Sequence, residues 1–170
     1  MTRKLEDYIP VVKEDGIVTD KDATFGGNLT VSGDITLDDI TLDDISATGG
    51  VTSSSATAGV GYATGAGGAV TQATNKSTGV TLNTVAGTIT THAAELAAAA
   101  EVTFVVTNSA VAITDVVALS IQSGGTPGEY QATVSTVAAG SFHITLANLS
   151  GSAASDAVLI NFAVIKAVAA

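Results

Sequence analysis

A pentad repeat between residues 25 and 50 is the feature that most constrains how this chain folds. Residues 35–39 read ITLDD, residues 40–44 repeat the same letters, and weaker copies precede and follow them. Each unit places two apolar side chains on one side of a very short strand and turns at acidic residues or glycine. A single copy leaves its backbone groups unpaired and its apolar side in water, whereas three chains around one axis supply the missing neighbours. We therefore predict a homotrimeric β-stem with the inward side chains Leu29, Val31, Ile35, Leu37, Ile40, Leu42 and Ile45.

The acidic residues of the repeat have two interpretations. In a trimer, Asp34, Asp38, Asp39, Asp43 and Asp44 would form rings of carboxylates around the stem, and calcium takes several oxygen ligands of this kind. Their spacing is not that of an EF-hand loop, and glycine is absent where that loop needs it. A solvated exterior that prevents stems from pairing edge to edge explains these residues more simply, so no metal and no cofactor is predicted.

Charge and composition exclude several classes of function. The formal net charge is −10 at pH 7, which argues against nucleic acid as a partner. Residues 1–50 hold most of the acidic residues, so residues 51–170 are almost uncharged and rich in small and β-branched residues. A surface with so few charges suits a chain that meets sister subunits better than a free monomer. The chain has no cysteine, which excludes disulfides and thiolate chemistry.

No targeting or membrane segment is predicted from the sequence. The first residues lack the apolar run of a signal peptide. The apolar C-terminal run, residues 156–170, is too short to cross a bilayer and is interrupted by Asn161 and Lys166. We expect the protein to be made and used without export by the signal-peptide route, and we expect no membrane partner.

Residues 1–24 mix charges of both signs with a small apolar cluster. Pro10 prevents a helix through the middle of this region, and no period indicates a self-contained domain. One interpretation is a disordered or loosely packed tail. We prefer an extended arm that orders on a partner surface, because a plain linker does not need the apolar anchors Leu5, Tyr8, Ile9, Val11 and Val12.

From residue 68 onward the sequence predicts eight short strands, which follow a linker of glycine, serine and alanine over residues 51–67. The predicted strands are 69–74, 79–83, 87–91, 102–107, 116–122, 130–137, 142–147 and 157–165. Their spacing is typical of an antiparallel sandwich or barrel. The alanine-rich residues 92–100 interrupt the series, and their composition favours one or two helical turns across an end of the sandwich.

Alternation of apolar and polar residues predicts which side of each strand faces the core. It is clearest late in the chain, where Phe142, Ile144 and Leu146 share one face and His143 and Thr145 share the other. The remaining predicted core residues are Val80, Leu82, Ile89, Val102, Phe104, Val106, Leu119, Ile121, Val134, Val158, Ile160, Phe162 and Val164.

The sequence does not favour catalysis. Glycoside hydrolysis needs two carboxylates that face each other across a cleft. Turn and capping roles explain the few acidic residues after residue 50 more simply, and these residues are Glu95, Glu101, Asp115, Glu129 and Asp156. His92 and His143 are separated by several predicted strands, and the sequence has no G-x-S-x-G motif. Only Tyr62 and Tyr130 are predicted to be exposed aromatic residues, which offers little surface for stacking sugars.

Two segments resemble proteins of tailed-phage virions. Residues 27–37, GNLTVSGDITL, resemble the short GNLTVSG units that recur in phage fibre and head-appendage proteins. Residues 61–167, which begin GYATGAGGAVTQ and end DAVLINFAVIKA, look like a C-terminal module common in phage virion proteins. The resemblance implies a trimeric, β-rich appendage of the virion, which is a capsid decoration protein, a head fibre or a tail fibre.

A short stem with one compact head suits a knob on a capsid better than a tail fibre, which needs a long shaft. We predict an all-β homotrimer with an N-terminal anchoring arm (1–24), a short intertwined β-stem (25–50), a linker (51–67) and an antiparallel, jelly-roll-like sandwich head (68–170). The implied function is that of a cement or head-fibre protein and not an enzyme. The protein would bind the major capsid protein on the outer surface of the virion, and it would be assembled in the host cytoplasm. The alternative is a short tail fibre or a module that binds a receptor or a host-surface glycan.

Overall fold

The structure is a computed structural model that describes residues 32, 45–57 and 59–168. The chain divides into two compact units, Met1–Gly50 and Val51–Ala170. The predicted arm and nearly all of the predicted stem lie outside the described residues. All described strands belong to the second unit.

Eight strands build the second unit. They are β1 (Ala69–Thr71), β2 (Val80–Thr81), β3 (Ala86–Thr90), β4 (Glu101–Thr107), β5 (Val116–Ser123), β6 (Tyr130–Ala138), β7 (Ser141–Asn148) and β8 (Leu159–Ile165). Each coincides with a predicted strand, and the described residues contain no helix, so the predicted all-β fold is confirmed for this part of the chain. The largest difference in length is at the first two strands, which are shorter than their patterns predict.

The strands form two four-stranded sheets, sheet A in the order β1-β3-β8-β5 and sheet B in the order β2-β4-β7-β6. Strand β1 is parallel to β3 and β2 is parallel to β4, whereas the other pairs are antiparallel. The antiparallel arrangement predicted for all strands is therefore confirmed for four of the six pairs and wrong for the pairs of β1 and β2, which make both sheets mixed. The chain alternates between the sheets from β1 to β6, so β1 and β3 both lie in sheet A and β2 and β4 both lie in sheet B. A strand that returns to its sheet after a crossover can run parallel to its predecessor, whereas strands joined by a tight hairpin are antiparallel.

The two sheets pack face to face on one hydrophobic core. Phe142 of sheet B and Phe162 of sheet A meet at its centre, with ring centroids 5.3 Å apart. The predicted core residues are buried or packed against the core, and His143 and Thr145 lie on the outer face of sheet B, as their alternation predicts. The pattern missed five residues of this core cluster, which are Leu96, Val111, Val117, Tyr130 and Ala154.

The helical turns predicted for residues 92–100 are absent, so this prediction is wrong. Leu96 instead pairs with Ala154 in an isolated antiparallel bridge, and both backbone hydrogen bonds of that pair form. The buried Asn148 amide donates to the carbonyl oxygens of Leu96, Ala97 and Ser152. These tertiary partners satisfy the backbone and bury Leu96, which outweighs the weak helix propensity of a short alanine run.

Candidate interaction surface

Most residues predicted to bind a partner lie outside the described part of the chain. These are the anchors Leu5, Tyr8, Ile9, Val11 and Val12 and the stem residues Leu29, Val31, Ile35, Leu37, Ile40 and Leu42. Ile45 is the stem residue that the structure describes. It lies in irregular backbone and its side chain is 67% exposed in the single chain.

The outer surface of sheet A carries no charged side chain. The residues that its strands point outward are small or uncharged, and they lie in register across the strands. We name this surface face A. One row across it joins Ala118, Ala163 and Ala86, and the next joins Ser120, Asn161 and Thr88. The remaining members of face A are Ala69, Thr71, Thr90, Leu159, Val116 and Ile165. Short side chains in register allow another sheet to approach this surface closely.

One end of face A is aliphatic and exposed. Val116 and Ile165 are directly opposite each other on β5 and β8, and their exposed fractions are 55% and 54%. Ile113, in the loop before β5, is 69% exposed. Thr114 donates to the carbonyl of Ala167, which ties this loop to the chain just beyond β8. We call Ile113, Val116 and Ile165 the aliphatic corner.

An ion pair fixes the loop that carries this corner. The buried Asp115 carboxylate accepts the N–H of Ala112 at 2.8 Å and the Lys166 ammonium at 2.5 Å. These bonds, the backbone bond above all, hold the pKa of Asp115 below its usual value. Lys166 also donates to the carbonyl of Ala110. The charges next to the aliphatic corner therefore neutralise each other.

The outer surface of sheet B has a different chemistry, and we name it face B. Thr133, Thr145 and Thr103 form a row across β6, β7 and β4, and the Thr103 and Thr145 hydroxyls are 2.8 Å apart. His143 and the acidic Glu101 lie on the same side of the sheet. Face B is hydroxyl-rich and carries an acidic residue, whereas face A is neutral and partly aliphatic.

A buried polar network closes one end of the second unit. The Lys76 ammonium donates to the backbone carbonyls of His92 and Asp156 and lies 5.7 Å from the centre of the Tyr130 ring. The Tyr130 hydroxyl donates to the Asp156 carboxylate at 3.2 Å. The buried Gln72 side chain donates to the carbonyls of Lys76 and Thr78 and accepts the N–H of His92. Together these bonds connect the loops after β1 and β3 to the approach to β8.

Burial shifts the pKa of two members of this network. Desolvation lowers the pKa of Lys76, and the nearby charge of Asp156 opposes this change. Desolvation raises the pKa of Tyr130. Both groups make structural contacts, with the ammonium on carbonyl oxygens and the phenol on a carboxylate, so the network serves to hold loops together.

The acidic residues of the head have separate, local roles. Asp115 binds Lys166, Glu129 accepts the N–H of Thr126 at 2.7 Å, and Asp156 binds Tyr130. The bonds from the Ala112 N–H to Asp115 and from the Thr126 N–H to Glu129 are local turn contacts of the predicted kind, whereas Asp156 contacts a tyrosine that is distant in the sequence. Within the described residues, no group of three or more histidine, cysteine, aspartate or glutamate side chains is arranged to hold a metal ion.

Exposed aromatic surface is smaller than the sequence predicts. Tyr62 is 48% exposed, and its hydroxyl donates to the carbonyl of Val164. Tyr130, predicted to be exposed, is only 8% exposed because it packs between the β5–β6 loop and Lys76, so this prediction is wrong. A surface pocket of about 280 Å³ lies at the same loop, lined by residues 121–128 and Tyr130. Since the Tyr130 ring is largely covered, little of it is left for stacking a sugar.

The buried polar network around Lys76 was not predicted from the sequence. Strand alternation is the rule that predicts the core, and this rule places lysine and glutamine in water. A signal was nevertheless present, because Lys76 is the one lysine, arginine, aspartate or glutamate between Asp44 and Glu95. A lone cation in a long neutral stretch has few exposed neighbours to pair with and is a candidate for burial with carbonyl partners.

Comparison with protein-family models, curated proteins and solved structures finds no match to this chain. Among the residues that the structure describes, no helix has the length and apolar character needed to cross a membrane.

Proposed function

We propose that this chain is a structural protein of a tailed-phage virion, a homotrimeric decoration or head-fibre protein. Residues 1–24 would anchor it to the major capsid protein, residues 25–50 would form the three-fold stem, and the eight-stranded unit would form the outward head. The binding energy would come from burial of apolar anchors and strand pairing with the shell, multiplied by three linked copies.

The observation that carries this proposal is the neutral exterior of the head. Face A has no charge and ends in three exposed aliphatic residues, while the upstream repeat supplies an apolar pattern too thin for a single chain to bury. Both features suit a chain whose surfaces meet sister chains. The resemblance of residues 27–37 and 61–167 to phage virion proteins supplies the virion context.

The head has the strand number of a jelly roll, with four strands in each of two sheets. The parallel pairs of β1 and β2 with their neighbours depart from the antiparallel form. We propose a head that is jelly-roll-like in its number of strands and that the stem holds on the virion surface.

The contacts of the acidic residues support a structural role over an enzymatic one. Glu129 and Asp156 are engaged by Thr126 and Tyr130, and Glu95 and Glu101 are exposed on different elements. If the head were a depolymerase, replacing Glu95, Glu101 and Glu129 together would remove activity on host polysaccharide. The proposal expects virions with and without these replacements to behave identically in such an assay.

Labelling and heating of virions test the proposal directly. Gold-labelled antibody to this protein should decorate the capsid, and virions that lack the protein should release DNA at a lower temperature than complete ones. Label on the tail would instead support the short-fibre alternative, and binding of the purified protein to a glycan array would support the glycan alternative. Label on neither part of the virion would refute the virion role.

A further inference from the structure

We infer that face A, with the aliphatic corner at its end, is the surface through which the heads of sister copies contact each other. This inference rests on the proposed homotrimer and adds the part of the head that takes part in it. It concerns the described residues of the second unit only, and its occupant is a second copy of this chain.

The aliphatic corner is exposed to solvent in the single chain. Ile113, Val116 and Ile165 are each more than half exposed, and two of them are cross-strand neighbours. Burying apolar surface yields about 25 cal/mol for each Å² removed from water. Grouped aliphatic side chains on a sheet of otherwise small residues mark the place where association gains the most.

The distribution of charge favours an identical copy as the occupant of face A. The chain has a net charge of −10, so identical chains repel each other wherever like charges meet. Face A has no charge, and the adjacent Asp115 carboxylate is neutralised by Lys166. Face B carries Glu101, and two copies meeting there would bring acidic groups together. A basic partner, by contrast, would gain nothing from a neutral surface.

The area of face A limits how much this surface contributes to the free energy of association. With strands about 4.8 Å apart and a rise of about 3.4 Å per residue, a four-stranded face of this length covers about 400 Å². A standard stable interface buries about 800 Å² on each partner. Face A therefore adds to the stem and does not replace it, so disrupting it should weaken the trimer and leave the stem contact intact.

The test measures the dissociation constant of the full-length chain by sedimentation over a dilution series. We expect the double variant Val116→Lys and Ile165→Lys to raise this constant about tenfold or more, because association would bury unpaired charges. The matched control, Thr103→Lys and Thr133→Lys on face B, should change it less than about threefold. Equal constants for the wild-type chain and the face A variant would overturn the inference.

Thiol protection gives a second readout that does not depend on a disruptive substitution. The chain has no cysteine, so Ala118→Cys reports face A alone and Thr133→Cys reports face B. Maleimide labelling should slow at Ala118→Cys as protein concentration rises and stay constant at Thr133→Cys. Protection at Ala118→Cys that persists at dilutions where sedimentation shows a monomer would show that the chain covers its own face, which refutes a second copy as the occupant.

These outcomes separate the two proposals. If the chain is a trimer whose dissociation constant is unchanged by the face A substitutions, this inference is refuted and the proposed trimer stands. A dimer that dissociates when face A is changed supports this inference and refutes the trimer. A chain that stays monomeric at every concentration refutes both.

Discussion

Lys76 is buried with its ammonium on the carbonyl oxygens of two loops, and this placement has an energetic cost. Desolvation disfavours the charged form, which is why the pKa of Lys76 is lowered. The compensation is geometric, because one side chain joins the loop before β4 to the approach to β8. Gln72 and Tyr130 complete the same junction from the ends of β1 and β6. At the scale of residues, the end of the sandwich is held by polar bonds and the middle by apolar packing.

The lowered pKa of Lys76 predicts that stability rises with pH on the alkaline side. Between the folded pKa and the ordinary value of 10.5, the unfolded chain binds more protons, so the free energy of unfolding increases as pH increases. The raised pKa of Tyr130 acts in the opposite direction only above its ordinary value of 10.0. Urea unfolding followed as the pH rises toward 10.0, the ordinary pKa of tyrosine, should therefore show the rise.

Two variants control this measurement. Lys76→Met should abolish the rise, whereas Lys166→Met, at an exposed lysine, should retain it. An unfolding free energy of the wild-type chain that is flat or falls over this range would contradict the assigned environment of Lys76.

Asn148 is the second residue on which the loops depend. Its buried amide donates to three carbonyls, and its oxygen accepts from Ser150. Asn148→Ala should lower the free energy of unfolding by about 2–4 kcal/mol, since it leaves several buried groups unsatisfied. Asn75→Ala, whose hydrogen bonds are exposed, should cost less than about 1 kcal/mol. Similar costs for the two variants in urea unfolding would show that the Asn148 network contributes little.

At the scale of elements, the positions of the strands could be predicted from the sequence, whereas the pairing of strands within the sheets could not. The alternation of Phe142, Ile144 and Leu146 with polar residues follows from local geometry, and the structure buries these three side chains. Which strands become neighbours depends on how often the chain crosses between sheets, and no local pattern records this. The same limit explains residues 92–100, where distant partners override the local preference for helix. For the candidate site, the low charge could be predicted from the sequence. The grouping of the aliphatic corner could not, because its residues come together only when β5 and β8 pair in the fold.

The β5–β6 loop provides a test at this scale, because two of its glycines differ in their surroundings. Gly124 and Gly128 both have positive φ, at 102° and 85°. A Cβ on Gly124 would lie 2.5 Å from the carbonyl oxygen of Ala157, whereas a Cβ on Gly128 would meet open space. Gly124→Ala should therefore cost about 1–3 kcal/mol more stability than Gly128→Ala in urea unfolding. Equal costs would mean that the loop does not pack against the chain before β8.

At the scale of the whole molecule, charge and apolar pattern divide the chain between its two units. The acidic repeat lies in Met1–Gly50 and the nearly neutral strands lie in Val51–Ala170. Under the proposed function, the first unit supplies the three-fold contact and the second unit supplies a surface that tolerates close neighbours.

The stem hypothesis predicts a sharp difference between inward and outward positions of the repeat. Ile35→Asp with Ile40→Asp should convert the trimer to monomer, because buried charges without partners would disrupt the stem. Asp38→Asn with Asp43→Asn, at the outward positions of the same pentads, should leave the mass in solution unchanged. Mass photometry or light scattering on the two variants makes the comparison. A trimer that survives the inward change would place the contact elsewhere.

The mass of the unmodified full-length chain in solution tests the central claim most directly. Sedimentation equilibrium at micromolar concentration should give three times the chain mass of 16.7 kDa, with a single species. A compact, folded species of one chain mass under the same conditions would contradict the trimer.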